Sequence, residues 1–344
     1  MQILNGARQL RVQVAEASHV GEGRRLAQRL AQAYGFDATS TGRAGIIATE
    51  LGNNLLRHAG AGDLLIQVLG QDAQLELELL AIDRGPGMHD VQRCLQDGYS
   101  TGGTPGNGLG AVARLSSLFD MYSLPGRGTV VLSRVARDAS PGAGSAQRSA
   151  LPLEFGAICV AIKGESECGD AWSVACDDHC VALLVADGLG HGPQAATAAK
   201  AAADAFVEQP FDAPAQAMQR LHHALSGTRG AAAACAVLNQ STSKLDYCGV
   251  GNICARVLSS GASRGLVSHN GTLGMQLHRA QQFEYPCQPG DRVVMHSDGM
   301  SARWSIGDYA GLQPRHAAVI AGVLFRDHGR GSDDTTVLVM GRRA

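Results

Sequence analysis

Two groups of side chains in this sequence have the types and spacing that phosphate chemistry requires. In ATELGNNLLRHAG, Glu50, Asn54 and His58 recur at every fourth position. On a helix such residues stack along one face, so a carboxylate, an amide and an imidazole would share one stripe. Downstream, AIDRGPGM ends an apolar run on Asp83 and sets Gly85 and Gly87 around a proline. DGYSTGGTPGNGLGAVARL then places six glycines in the thirteen positions from Gly98 to Gly110 and runs directly into a helical pattern. A glycine-rich loop feeding a helix N-terminus offers an anion free N–H groups and the positive end of the helix dipole. Mg²⁺ prefers oxygen ligands, so one amide oxygen with phosphate oxygens makes an ordinary set. A carboxylate one turn away can take or orient the proton of a hydroxyl attacking a phosphoryl group.

The second group consists of four aspartates beside glycines, in GDAW (169–172), VADGLGHG (185–192), HSDGM (296–300) and GSDDTTVLV (331–339). Aspartates at strand ends, with backbone carbonyls in reach, can converge on hard cations. Four converging carboxylates cannot all stay ionised without a cation, because like charges raise each other's pKa. Two divalent ions about 3.5–4 Å apart would activate water and clamp a phosphoryl group for in-line attack.

Composition removes competing readings. The net charge is −2, which gives no bulk electrostatic case for nucleic acid or a membrane surface. No apolar run approaches the ~18 residues that span a bilayer, and the first ten residues lack a basic-then-apolar leader. The nine cysteines are scattered, with no CxxC pair. They read as reduced thiols of a cytoplasmic protein, and Cys176 and Cys180 lack a second Cys/His pair at zinc spacing. Glycine is in excess, at 44 of 344 residues, where about 7% is ordinary. Much of that excess clusters beside the acidic residues above. Only Lys163, Lys200 and Lys244 supply lysine, and none lies in the first 162 residues. A Walker A loop and the eukaryotic kinase fold both need a lysine on the phosphates. ATP in the first half would need another architecture.

Positioning these groups takes two cores. Residues 138–152, rich in Ala, Ser, Gly and Pro without hydrophobic period, read as a flexible linker between domains at 1–137 and 153–344. In the first, a strand precedes helices over about 18–34 and 37–58. Strand-like runs follow at 64–69, 75–82 and 128–135, with a helix near 110–119. In the second, strands are predicted at 155–162, 171–175, 181–186, 232–238, 245–250, 255–258, 292–296 and 336–340. Helices are predicted at 194–207, 214–225 and within 315–325. Both halves are α+β.

The three motifs of the first half, in this order and spacing, resemble the N, G1 and G2 boxes of the GHKL ATPase family. The match is to the small bacterial serine kinases of partner switching, the RsbT/RsbW type. TELGNN (49–54) and QDGYST (96–101) are similar to stretches of the RsbT branch. The resemblance covers residues 1–137 and implies a Bergerat-type α/β sandwich using ATP and Mg²⁺. It implies Asn54 as a Mg²⁺ ligand, Glu50 as the base for the substrate hydroxyl, and Asp83 as acceptor for the adenine amino group. It implies a nucleotide lid over about 94–110, with Gly87, Gly102, Gly103, Gly106, Gly108, Leu109 and Gly110 lining the nucleotide. A STAS-domain protein is the implied substrate, an anti-sigma or other switch protein a further partner, and a homodimer an implied assembly. Neither a histidine-bearing dimerisation helix pair before Glu50 nor a transducer domain after the first half is recognisable. A sensor histidine kinase and a gyrase-type ATPase are therefore not expected.

The four aspartate motifs resemble the metal-dependent serine/threonine phosphatases in their SpoIIE/RsbX-type branch. TRGAAAACAVLN (228–239) and VGNICARV (250–257) are similar to the RsbX branch. Over residues 153–344 this implies an α-β-β-α sandwich. It also implies Asp170, Asp187, Asp298 and Asp333 as ligands of Mg²⁺ or Mn²⁺, with the Gly188 carbonyl beside them. Asp334 stands where eukaryotic relatives carry Asn. Leu189 stands where they carry the histidine assigned as general acid, and that role is not carried over to His191. The whole chain then reads as a bifunctional switch, kinase and phosphatase together. The alternative is a phosphatase whose first domain only senses nucleotide or sequesters a partner.

Overall fold

The computed structural model describes residues 1–5, 9–71, 74–94, 108–137, 153–260 and 262–342. The expected linker at 138–152 lies outside the described residues, as does most of the expected lid. The chain divides into two compact units. One comprises residues 9–150 with 311–326, and the other residues 1–8, 151–310 and 327–344.

In chain order the elements are β1 (Gln2–Asn5), β2 (Leu10–Val14), α1 (Ala17–Ala33), α2 (Ala38–Asn54), β3 (Gly62–Leu69), β4 (Glu76–Asp83), α3 (Val91–Cys94), α4 (Gly108–Leu115), β5 (Leu118–Leu124) and β6 (Gly128–Ala136). There follow β7 (Leu153–Val160), β8 (Asp170–Cys176), β9 (Cys180–Gly188), α5 (Pro193–Glu208), α6 (Pro214–Ala224), β10 (Ala231–Asn239), β11 (Lys244–Val250) and β12 (Cys254–Ser259). Last come β13 (Ala262–Gly265), β14 (Ser268–His269), β15 (Phe283–Pro286), β16 (Arg292–His296), α7 (Ala317–His328) and β17 (Thr335–Arg342).

The first unit is built on an antiparallel sheet in the order β2-β3-β4-β6-β5. Alternation along the strands sends Val12, Leu64, Ile66, Leu77, Leu79 and Val131 into one core with α1 and α2. Small residues let these helices close on the sheet and on each other. A Cβ on Gly23 would stand 2.9 Å from Leu64, and one on Gly52 3.2 Å from Val20. Asp37 starts α2 by accepting from the Ser40 N–H at 2.6 Å. That bond is the main reason its carboxyl sits below the ordinary range.

The opposite face of this sheet is also buried, at Leu65, Leu80, Val130 and Leu132. Its cover comes from far along the chain. Residues 317–326 of α7 are all buried, and a Cβ on Gly322 would lie 2.7 Å from Val130 Cγ1 and 3.2 Å from Leu80 Cδ2. The Arg11 guanidinium sits 5.7 Å from the Phe325 ring centre. Asp120 Oδ2 accepts from the His316 N–H at 2.7 Å. Residues 311–326 thus group with the first unit, whereas their sequence position suggests the second. The reason is physical: a sheet with two apolar faces needs a layer on each. Gly322→Val is therefore expected to destabilise the protein by about 1–3 kcal/mol through overpacking, read as a lower denaturant midpoint with an unchanged slope.

Two local expectations shift. The helix predicted to reach residue 119 stops at Leu115, where Ser116 Oγ donates to the Val112 carbonyl at 2.6 Å. From Ser117 the backbone pairs with Arg134 and enters β5. The helix predicted to run to residue 58 is α-helical only to Asn54 and continues as a π turn over Leu55–Ala59.

The second unit stacks two sheets. One runs β1-β8-β9-β10-β11-β14, with β15 also pairing β11, and the other β13-β12-β16-β17-β7. Helices α5 and α6 pack on the first of these through Ala198, Ala202, Phe206, Met218 and Leu221. The N-terminal strand β1 extends that sheet by pairing antiparallel with β8. The short strands β13, β14 and β15 have no counterpart among the predicted elements.

Candidate active sites

In the first unit, Glu50 and Asn54 occupy the last turn of α2. A Cβ on Gly108, the first residue of α4, would fall 3.0 Å from Glu50 Oε2 and 3.8 Å from Asn54 Oδ1. Glycine at that position lets the start of α4 close on both side chains. Asn54 Nδ2 is buried with no hydrogen-bond partner, an arrangement that leaves an amide poised for a ligand. The expected stripe of three ends at Asn54. The π turn adds backbone between Asn54 and His58, and His58 is exposed.

Asp83 ends β4. Its Oδ1 accepts from the backbone N–H of Gly85 at 2.8 Å and of Thr129 at 3.1 Å. Burial raises its pKa above the ordinary carboxylate value, and these two N–H groups pull the other way. Gly87 has φ +69, and a Cβ there would meet the Leu124 carbonyl at 2.2 Å. Gly110 is buried in α4, and Leu109 packs against the unit's hydrophobic core. Gly102, Gly103 and Gly106 lie outside the described residues.

In the second unit, Asp170 and Asp187 stand directly opposite each other on β8 and β9. Like charges in that register destabilise a sheet unless something offsets them. Burial, then Asp170 and Asp298, push the Asp187 carboxyl up to about 9. Burial is also the main cause pushing Asp170 up to about 7. Asp298 follows β16, where its Oδ2 accepts from Asn252 Nδ2 at 2.6 Å. Asp333 precedes β17 and raises both Asp170 and Asp187. The four aspartates singled out by sequence are thus brought into mutual electrostatic range. Gly188 is buried beside them and has no room for a side chain, since a Cβ there would stand 2.2 Å from the Ala195 carbonyl oxygen of α5.

This donor set fits a divalent cation. Asp170 Oδ1 is buried with no donor in good hydrogen-bond geometry, and the raised carboxyl pKa values record charge that lacks compensation. Among the described residues no three His, Cys, Asp or Glu side chains close into a preformed cage. An open arrangement suits Mg²⁺, which keeps several waters and takes one or two carboxylates directly.

Several supporting residues are not evident from motifs. Gly128 (φ +87) lets the β5–β6 turn pack against the Asp83 backbone, where a Cβ would stand 2.1 Å from the Asp83 carbonyl oxygen. Ser297 Oγ donates to Asp170 Oδ2 at 2.6 Å. His191 Nδ1 pairs with Glu165 Oε1 at 2.8 Å, an exposed contact on the rim. Ser297 and His191 lie inside the aspartate motifs, but their partners do not show there, and Gly128 carries no motif signal at all.

Comparison with known proteins finds two family matches along the chain. Residues 14–134 match the model of the histidine kinase-like ATPase domain, and residues 177–343 match that of stage II sporulation protein E. The serine/threonine-protein kinase RsbT of Bacillus subtilis (strain 168) is 33% identical over 108 residues, 31% of this chain and 81% of RsbT. The phosphoserine phosphatase RsbX of the same organism is 28% identical over 140 residues, 40% of this chain and 70% of RsbX. A solved structure described under "The bacterial stressosome: a modular system that has been adapted to control secondary messenger signaling" is 31% identical. It covers 55% of this chain and 98% of its own, with a TM-score of 0.51. No helix among the described residues is long and apolar enough to cross a membrane. The chain belongs to the RsbT-type family of serine/threonine kinases through its histidine kinase-like ATPase domain, fused here to a SpoIIE-type, RsbX-like phosphatase domain.

Proposed function

We propose that this protein is a bifunctional partner-switching regulator, with a kinase domain in the unit of residues 9–150 and 311–326 and a phosphatase domain in the unit of residues 1–8, 151–310 and 327–344. The first phosphorylates Ser or Thr on a STAS-type partner with MgATP, and the second removes phosphate from phosphoserine or phosphothreonine. The observation that carries the reading is the closure of α4 on Glu50 and Asn54, in a chain that also holds the carboxylate cluster. ATP supplies the phosphoryl group. Glu50 holds or takes the proton of the incoming hydroxyl, and Asn54 Oδ1 binds Mg²⁺. Asp83 Oδ1 is held by backbone N–H groups, and its second oxygen accepts from the adenine amino group.

In the phosphatase domain Asp170, Asp187, Asp298 and Asp333 hold Mg²⁺ or Mn²⁺, with the Gly188 carbonyl beside them. Bound ions supply charge stabilisation to the transferring phosphoryl group. Asn252 fixes Asp298 through its Oδ2, and Ser297 fixes Asp170 through its Oδ2, so each presents its other oxygen. An anti-sigma or other switch protein is the further partner of this reading.

Mass spectrometry of a STAS-domain protein incubated with the full chain tests both halves. With MgATP one phosphate should appear on Ser or Thr; with Mn²⁺ and no ATP it should disappear. Capture of the partner without any phosphate transfer would instead make the first domain a sequestering module.

A further inference from the structure

Asp334 lies beside the proposed ligand Asp333, yet both its oxygens are already used. Its Oδ1 accepts from the Ile162 N–H at 2.7 Å and its Oδ2 from the Gly169 N–H at 2.8 Å. Those two amides flank the loop that joins β7 to β8, so one carboxylate ties both ends of the loop together. The side chain is 3% exposed, and a Cβ on Gly169 would stand 2.6 Å from its Oδ2. Its own N–H donates to Asp333 Oδ1 at 2.9 Å.

The position of this staple gives it a consequence beyond loop closure. Asp170 follows Gly169 directly. Its Oδ2 is held by Ser297 Oγ, which in turn accepts from the Thr336 N–H at 2.9 Å. Its Oδ1 is buried with no donor in good hydrogen-bond geometry, the Thr336 side chain being the further group that favours the carboxylate. The Asp334 carboxylate therefore sets the backbone of one proposed ligand through Gly169, and in doing so fixes the position of its own backbone N–H, which holds the other. Burial makes this an expensive place for another carboxylate in an already acidic cluster. Two N–H donors demand two acceptor oxygens, which an ionised carboxylate has and an asparagine amide lacks.

We infer that Asp334 is a positioning residue of the phosphatase site, one that sets divalent-cation affinity by joining the Asp170 and Asp333 segments without itself binding the ion. The inference rests on the proposal that the aspartate cluster holds the ions.

The test is Mn²⁺ titration of the full chain by isothermal calorimetry, beside p-nitrophenyl phosphate turnover at rising Mn²⁺. Asp334→Ala should weaken Mn²⁺ binding about 10–100-fold, the range for removing a residue that orients metal ligands. Asp334→Asn, which keeps the size and one acceptor, should fall between it and wild type. In both, the number of ions bound should match wild type and turnover should recover at saturating Mn²⁺. Asp187→Asn should lose binding that excess Mn²⁺ does not restore. Unchanged Mn²⁺ affinity in both Asp334 variants overturns the inference. So does a lost ion or turnover that saturation does not rescue, since either would make Asp334 a ligand. If wild type binds no Mn²⁺, the cluster reading fails and the inference falls with it. If only the Asp334 variants behave as wild type, the inference fails alone.

Discussion

Replacing Asp187 with asparagine is expected to abolish Mn²⁺-dependent hydrolysis of p-nitrophenyl phosphate and, in the same protein, to raise the melting temperature measured in chelator at pH 8. The first effect follows from removing a carboxylate that faces Asp170 across the β8–β9 ladder and senses Asp298 and Asp333. Losing about 4 kcal/mol of phosphoryl-charge stabilisation lowers turnover about 1000-fold. The second effect follows from the sign of the carboxyl shifts. An aspartate in the unfolded chain titrates near 3.9, whereas burial pushes Asp187 to about 9 and Asp170 to about 7. Between these values the metal-free folded protein holds protons that the unfolded chain has released. Stability contributed by these groups is therefore full below about pH 4 and is lost as pH rises through 7 and 9. Asparagine carries no charge to lose and removes part of that loss. A gain of about 1 kcal/mol would raise the transition by about 2–4 °C. Added Mn²⁺ should stabilise wild type more at pH 8 than at pH 5.5, and the variant little at either. A variant that melts below wild type in chelator at pH 8, or keeps a tenth of its activity, would sink this account.

The candidate site residues stand out in the sequence because each sits in a short local signal. Asp83, Asp170, Asp187 and Asp298 all fall at or just beyond strand ends, where an apolar run stops against a glycine or acidic residue. The helical period placed Glu50 and Asn54 on one face, and α2 carries them so. What sequence did not reveal depends on partners far away in the chain. Asp334 looks like one half of an Asp pair, and only folding places Ile162 and Gly169 against its two oxygens. The route of residues 311–326 to the first unit is likewise invisible locally, since an apolar helix fits any apolar sheet. The first two residues of β5 fall inside the predicted helix because Leu118 and Phe119 satisfy either period. Nothing in LLRHA distinguishes the π turn after Asn54 from an α turn.

Glu50→Gln is expected to lower phosphate transfer to the partner by about 10²–10⁴-fold, the range for losing a positioned proton acceptor, while ATP still binds. Asn54→Ala should act at an earlier step. Its Oδ1 lies near the start of α4 and its Nδ2 is buried without a partner, so truncation removes an amide committed to no other bond. The loss should appear as ATP affinity weakened at least about tenfold in Mg²⁺, roughly 1.4 kcal/mol, with a smaller effect in EDTA. Calorimetric ATP titrations with and without Mg²⁺, beside transfer from labelled ATP, separate the two roles. The distinction matters because Glu50 and Asn54 share one helical turn, and a general disturbance of α2 would move both readouts together. Transfer that survives Glu50→Gln would remove the base assignment. Equal losses of ATP affinity in the two variants would show that the turn contributes structure alone. Since Glu50 and Asn54 belong to the first unit and the carboxylate cluster to the second, Mn²⁺-dependent phosphatase activity should remain at the wild-type level in both variants. That provides the internal control that each preparation is folded.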